Sequence, residues 1–124
     1  MQGTPPSVAT LRAALSRGAS IINQRILGSY DAIITANGLT PAPRLDEFPA
    51  DVPPKMTLQT MPFNVTGNPA LALPTKLSKS GLPLGMQIVG RAFDEPTVLR
   101  IGAAFEAASG WINKRPSNEP PIAP

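Results

Sequence analysis

The residues with the clearest potential for chemistry are two lysines and two serines close together, Lys76, Ser78, Lys79 and Ser80. A serine hydroxyl becomes an effective nucleophile when an adjacent base, such as a neutral lysine, accepts its proton. These four residues, however, lie between two apolar segments and are followed by Gly81, a composition typical of a turn. A lysine in an exposed turn stays hydrated and charged, so we interpret the group as a polar turn without catalytic function.

Other catalytic chemistries are excluded by the residue types that the chain lacks. Its 124 residues include no cysteine and no histidine. A thiol nucleophile, a zinc site built from these ligands and a Ser-His-Asp triad are therefore ruled out within this chain. Asp46 and Glu47 form an acidic pair, but they precede a proline-rich stretch and are expected to be solvated. We assign no catalytic, cofactor-binding or metal-binding residue to the chain.

The charge and hydropathy patterns point to neither a nucleic-acid nor a membrane partner. The net charge is +3, from 11 lysines and arginines against 8 acidic residues, and the basic residues are scattered. A nucleic-acid-binding surface normally requires a clustered basic patch. No apolar run approaches the roughly 20 residues of a spanning helix, and the first residues resemble no secretion signal. We expect a cytoplasmic protein that binds neither nucleic acid nor membrane directly.

An amphipathic helix is predicted over residues 7–27. Ser7 or Thr10 is placed to cap its start, and Gly28 to end it in a left-handed conformation. Its apolar residues recur at spacings of three and four, so they share one face. These residues are Val8, Leu11, Leu15, Ala19, Ile22 and Ile26.

Three short apolar segments are predicted to be strands. The first is residues 30–35, which are β-prone and follow the helix. Residues 70–74 and 84–90 are the other two, joined by the polar turn into a β-hairpin. Gln87 is a polar residue inside the last strand, and we expect its amide to hydrogen-bond buried backbone groups in the core. Direct contact with a substrate is the alternative role.

A second helix is predicted over residues 95–109, capped by Asp94 and ended by Gly110. The tail over residues 115–124 ends in prolines and is expected to be disordered. Two helices on three short strands make a thin core, and strongly apolar strands imply burial on both faces. The pattern therefore indicates the edge of a larger sheet.

A long proline-rich stretch, residues 36–62, separates the first strand from the hairpin. Proline fixes φ and donates no backbone hydrogen bond, so regular structure is not expected there. A loop of this length is unusual inside a compact domain. We predict that it runs over a surface that another part of a larger protein supplies.

Two linked motifs resemble the C-terminal part of the amidase signature family. Residues 63–74 carry an Asn-x-x-Gly-x-Pro-Ala pattern, and residues 81–91 carry a Gly-Leu-Pro-x-Gly-x-Gln pattern. The family consists of Ser/Ser/Lys amide hydrolases and includes the A subunits of glutamyl-tRNA amidotransferases. Seven matching residues are assigned structural roles: Asn64, Gly67, Pro69, Gly81, Pro83, Gly85 and Gln87.

The resemblance implies an α/β fold, the C-terminal part of the amidase-signature fold, with a short mixed β-sheet, flanking helices and a long proline-rich loop. Residues 1–124 would be a C-terminal segment or subunit of a hydrolase acting on carbon–nitrogen amide bonds. The lysine base and the two serines of the family belong to segments that nothing in this chain matches. We therefore expect a chain that is inactive alone. Its expected partner is the missing N-terminal amidase portion or a larger subunit, and a small-molecule amide would be the substrate of the complete enzyme.

Two other interpretations remain open. The first is that the chain is a non-catalytic binding module, or a partner subunit, that retains the amidase C-terminal architecture. A stable monomer in solution would favour that interpretation, whereas exposed strand edges would make an isolated segment aggregate. A small proline-rich interaction protein is disfavoured, because Pro5-Pro6, Pro53-Pro54 and Pro120-Pro121 are dispersed and lack flanking basic anchors.

Overall fold

A computed structural model describes residues 5–44, 46 and 57–114, without the side chain at position 112. Parts of the two predicted irregular regions, residues 47–56 and 115–124, lie outside the described residues. The elements in chain order are α1 (Val8–Ser20), a π-helical extension (Ile21–Ile26), β1 (Ala32–Ala36), α2 (Met61–Thr66), β2 (Ala70–Leu77), β3 (Pro83–Gly90), α3 (Glu95–Ser109) and a 3-10 turn (Trp111–Asn113).

The first helix begins where the sequence predicts. Ser7 Oγ accepts a hydrogen bond from the Thr10 backbone amide at 3.2 Å. From Ile21 onward the helix widens into π geometry, and the Leu27 amide donates to the Ile22 carbonyl five residues back, at 2.9 Å. The predicted helix over residues 7–27 is confirmed, but its π-helical end is not something that apolar spacing indicates.

Gly28 does not adopt the left-handed conformation expected of it. The described glycines with positive φ are Gly67, Gly81 and Gly110. At Gly28 an added Cβ would instead lie 2.3 Å from the Gln24 carbonyl oxygen, on the backbone of the last helical turn. The chain requires glycine there because no side chain fits.

The sheet has three strands in the order β1-β3-β2. In β1, Ala32 is paired with Gly90, and in β2, Ala70 is paired with Val89. Both described pairings are antiparallel, whereas the sequence led us to expect a mixed sheet. The α/β class and the hairpin are confirmed. A register shift follows Pro74, which has no N–H to donate to the ladder.

The third helix packs on the hairpin and closes a small core. Asp94 accepts from the Thr97 amide at 3.3 Å, and Gly110 ends the helix at a φ of 66°. Both ends are as predicted. The buried cluster consists of Leu73, Ile88 and Val98, and partly buried neighbours cover it. The core therefore sits between α3 and one face of β2 and β3.

Helix α2 was not predicted, because it begins inside the proline-rich stretch of residues 36–62. Pro62 occupies the first turn, where the missing backbone N–H would have no helical partner in any case. Gly67 ends the helix at a φ of 72°. A proline that we interpreted as evidence against regular structure is here a helix-starting residue.

The predicted apolar face of α1 forms, but most of it has no cover within the described chain. Helix α1 contains no buried residue. Val8 is 67% exposed, Leu11 50% and Leu15 44%. Helix α2 approaches α1 further along, where the Thr66 methyl group would lie 3.6 Å from a Cβ at Gly18. No described helix combines the length and apolarity of a membrane span.

Replacing Gly28 with alanine tests the steric requirement at the end of the first helix. We expect Gly28→Ala to lower the free energy of unfolding by about 2 kcal/mol, because the Cβ meets a backbone oxygen that cannot rotate away. Gly38→Ala is the control, since its Cβ would lie 3.6 Å from the nearest atom, an ordinary contact. Urea denaturation measures both variants, and equal effects would contradict the steric account.

Candidate functional site

The lysine and serine group forms the turn between β2 and β3. Ser78 Oγ lies 2.9 Å from Ser80 Oγ and accepts from the Leu82 amide at 3.1 Å. Gly81 takes a left-handed φ of 80° beside them. Lys79 is exposed in the turn, and Lys76, near the end of β2, is exposed as well. The hydroxyls are therefore used to build the hairpin turn.

Serine hydroxyls elsewhere in the described chain bond in the same local way. Ser7 Oγ lies 2.9 Å from Thr10 Oγ1, and Ser109 Oγ donates to the Glu106 carbonyl at 3.4 Å. The hydrogen bonds of Ser7, Ser78 and Ser109 thus go to other hydroxyls or to backbone groups. No cluster of acidic side chains within the described residues could hold a metal ion.

Of the acidic pair Asp46 and Glu47, which we expected to be solvated, the structure describes Asp46. Asp46 is exposed and accepts from Arg44 Nε at 2.9 Å and Nη2 at 2.8 Å. This hydrogen bonding raises the pKa of the Arg44 guanidinium. Glu47 lies outside the described residues.

The seven motif residues lie along α2 and the hairpin that follows it. Asn64 is exposed on α2, Gly67 ends that helix, and Pro69 precedes β2. The Pro69 carbonyl accepts from the Gly90 amide at 3.0 Å, which closes this end of the hairpin. Gly81 lies in the opposite turn and Pro83 opens β3.

Gly85 and Gln87 lie in β3, between the two ends. A Cβ at Gly85 would come within 3.3 Å of the Asn37 side chain. Asn37 directly follows β1, and this close approach places it against the central strand. There the Asn37 backbone N–H donates to the Gly85 carbonyl at 3.0 Å.

Gln87 is the most deeply buried polar side chain of the motif, with 2% of its surface exposed. Its Nε2 lies 2.9 Å from Thr35 Oγ1 in β1 and 2.6 Å from the Gln59 carbonyl oxygen. The two amide hydrogens therefore have acceptors on two different segments. The second bond fastens the end of the proline-rich stretch to the centre of the sheet, a geometry that supports the core role expected for Gln87.

A second buried amide, Asn68, joins three elements. Its Nδ2 donates to the Gly90 carbonyl at 2.9 Å and to Asn23 Oδ1 at 3.0 Å. Its Oδ1 lies 2.7 Å from the Thr66 hydroxyl. Asn23 Oδ1 also accepts from the Ala92 amide at 3.0 Å. This group, Asn23, Thr66 and Asn68, is called the asparagine network below.

Sequence reasoning missed the asparagine network. Asn68 lies between two motif residues, Gly67 and Pro69, and that position was the one available signal. Asn23 has no comparable signal, because a single asparagine on the polar side of a helix usually faces water. Asn23 lies in the π-helical extension, and its partners are Asn68 and the Ala92 amide, both far from it in sequence.

Arg91 fastens the end of the first helix to the end of β3. Its Nε donates to the Leu27 carbonyl and its Nη2 to the Tyr30 carbonyl, each at 3.0 Å. Asp31 Oδ1 lies 3.6 Å from the same guanidinium. A cation at the carboxyl end of a helix interacts favourably with the unpaired carbonyls there.

A cleft of about 360 Å³ lies between the hairpin and the C-terminal turn. Trp111 Nε1 donates to the Thr75 carbonyl, and Lys114 Nζ lies 5.4 Å from the centre of the Trp111 ring. The lining is mostly apolar and includes one carboxylate, Glu106. Its described lining contains no hydroxyl group, and a mostly apolar concave surface of this kind suits packing or binding.

Replacing Gln87 with methionine tests its hydrogen bonds at nearly constant volume. We expect Gln87→Met to lower the free energy of unfolding by about 1–3 kcal/mol, because buried acceptors on β1 and before α2 lose their donor. Gln24→Met makes the same change at an exposed position and should be close to neutral. Urea denaturation with both variants measures the difference, which must vanish if Gln87 has no structural role.

The asparagine network is tested by Asn68→Ala. We expect a loss of about 2–3 kcal/mol in the free energy of unfolding, because the Gly90 carbonyl and Asn23 Oδ1 lose a buried donor. Asn113→Ala removes an exposed asparagine and should change stability by less than about 0.5 kcal/mol. If thermal unfolding gives the two variants the same Tm, the network does not stabilise the fold.

Comparison with known proteins places this architecture in a family. The amidase family matches residues 9–99. Two relatives are the A subunits of glutamyl-tRNA(Gln) amidotransferase from Brevibacillus brevis and Geobacter metallireducens. The first is 44% identical over 94 residues, covering 73% of this chain and 19% of that protein. The second is 43% identical over 102 residues, covering 77% and 21%. The chain thus spans about a fifth of the length of these relatives.

Solved structures give the same assignment. The structure of 6-aminohexanoate cyclic dimer hydrolase superposes with a TM-score of 0.75 at 25% identity, covering 90% of this chain and 26% of that one. The corresponding glutamyl-tRNA(Gln) amidotransferase subunit of Thermotoga maritima gives a TM-score of 0.69 at 31% identity, covering 83% and 23%. Since the family match extends over most of the sequence, the chain belongs to the amidase family.

Proposed function

We propose that this chain is the C-terminal segment or subunit of an amidase-family hydrolase that acts on carbon–nitrogen amide bonds, and that it is inactive alone. The observation that carries the proposal is the uncovered apolar face of α1. A helix that buries none of its residues gains little from packing, and helices of this length are marginal without it. Such a face is expected where another part of a larger fold covers it.

The sheet supports the same conclusion. In the strand order β1-β3-β2, β1 and β2 are both edges of the described sheet. Unpaired edges of this kind readily accept a further strand. The relatives are about five times longer than the stretch they share with this chain. The rest of an amidase fold is therefore long enough to supply strands that pair with these edges.

Within the complete enzyme, we assign a supporting role to this segment. Among the seven motif residues, Gly67 ends α2, Gly81 shapes the hairpin turn, and Gln87 holds the end of the proline-rich stretch through the Gln59 carbonyl. That stretch, residues 36–62, would lie nearest the mouth of the substrate site.

The proposed partner is the N-terminal amidase portion, or a larger subunit that contains it. It would supply the lysine base and the two serines of the family, and a small-molecule amide would be the substrate of the assembled enzyme. The names of the relatives do not decide which amide this is. A cytoplasmic location stays a prediction from the sequence, which fractionation of the source cells tests.

The inactivity of the isolated chain is directly measurable. We expect purified chain to hydrolyse an aryl amide, such as p-nitroacetanilide, no faster than buffer. Hydrolysis should appear when the chain is co-expressed with the Brevibacillus brevis relative from which the matching segment has been deleted, called the truncated relative below. In that complex, Ser78→Ala and Lys76→Met should leave the rate within about twofold, because these residues belong to the turn.

Two results would contradict the proposal. Turnover by the isolated chain that Ser78→Ala or Lys76→Met abolishes would place a catalytic pair in the hairpin turn. A stable monomer on size-exclusion chromatography that neither binds the truncated relative nor restores its activity would instead favour a non-catalytic binding module.

A further inference from the structure

Phe93 combines two unusual features in the turn between β3 and α3. Its φ is 63°, the one positive value among the described residues other than glycine. A bulky residue in this region of φ/ψ space is a steric outlier, whereas glycine enters it freely. The side chain is also 92% exposed. The strained residue therefore gains almost nothing from burial within the described chain.

The neighbours of Phe93 hold the turn in place. The Asp94 amide donates to the Arg91 carbonyl at 3.0 Å, and the Ala92 amide donates to Asn23 at 3.0 Å. The Arg91 guanidinium is bound in turn to the Leu27 and Tyr30 carbonyls. None of these bonds involves the Phe93 ring. The surroundings thus impose the backbone conformation, and the ring extends from this fixed backbone into solvent.

We propose that Phe93 is a docking anchor, whose ring inserts into an apolar pocket on the polypeptide that completes the amidase fold. The inference rests on the proposed function. Strained, over-determined backbone is concentrated at binding sites, and an aromatic side chain, which has few rotatable bonds, loses little conformational entropy on binding. Aromatic residues are also enriched among the few that dominate interface energies.

The choice of occupant follows from the missing length and the surroundings. About three quarters of each matched solved chain lies outside the stretch shared with this protein. The loop bound by Arg91 adds a second exposed aromatic residue, Tyr30, at 65% exposure. The Arg91–Asp31 pair, with Asp31 largely exposed, provides polar groups beside them. An apolar anchor with a polar surround is the usual organisation of a protein–protein interface.

The test compares two substitutions at Phe93 with a control at the opposite end of β3. Phe93→Gly removes the ring and relieves the backbone, Phe93→Trp keeps an aromatic ring, and Leu82→Ala removes an exposed apolar side chain. The binding partner is the truncated relative from Brevibacillus brevis. Its affinity for each chain is measured by interferometry, and the Tm of each chain alone is recorded.

We expect Phe93→Gly to weaken binding by about tenfold or more without lowering Tm. Phe93→Trp should bind within about threefold of the original chain, and its fluorescence should shift to shorter wavelength on binding. Leu82→Ala should bind normally. Trp111 is the single native tryptophan, so the unsubstituted chain provides the fluorescence baseline.

The possible failures are distinguishable. If the original chain binds and Phe93→Gly binds equally well, the anchor is refuted while the proposed function stands. A lower Tm for Phe93→Gly would show that the ring serves the chain's own fold, which also overturns the inference. If the original chain does not bind the truncated relative, the proposed function fails and the anchor fails with it.

Discussion

Burial of apolar surface is the constraint on which the rest of this structure depends. The described buried hydrophobic residues are few, namely Leu27, Leu73, Ile88, Val89 and Val98. Most of them lie where α3 covers the hairpin, and α1 contributes none. A domain of this size has little surplus of hydrophobic stabilisation over the conformational entropy it loses. The small core therefore holds the hairpin and α3, whereas the first helix adds only Leu27, at its C-terminal end, to the buried hydrophobic residues and depends on other interactions.

Those other interactions are polar and involve few side chains. The asparagine network ties the π-helical extension to the end of β3, and Arg91 binds the carbonyls that follow it. Gln87 performs the corresponding task at the centre of the sheet. Each group bridges segments far apart in sequence, so its hydrogen bonds form only when the strands are already in register. Buried amides of this kind specify one arrangement, because any other would leave their partners unsatisfied.

The same few interactions explain why the described surface combines few reactive groups with exposed apolar groups. The lysine and serine side chains that looked most reactive are used to shape a turn, and the described lining of the cleft beside Trp111 has no hydroxyl nucleophile. Meanwhile one face of α1 and the ring of Phe93 remain in solvent. The lysine and serine side chains thus have structural roles, while an apolar helix face and an aromatic ring stay exposed within the described chain.

The sequence by itself determined the local elements and the family. Apolar spacing, Ser7 and Asp94 as caps, and Gly110 as a helix end are short-range signals, because each acts on groups within four residues along the chain. Helix α2 escaped prediction because Pro62 is compatible with a helix start as well as with a loop. The tertiary structure alone decided the pairing of β1 with β3, the partners of Asn23 and Asn68, and the exposure of Phe93. All of these depend on which distant segments meet, and residue spacing carries no information about distances between segments that only folding brings together.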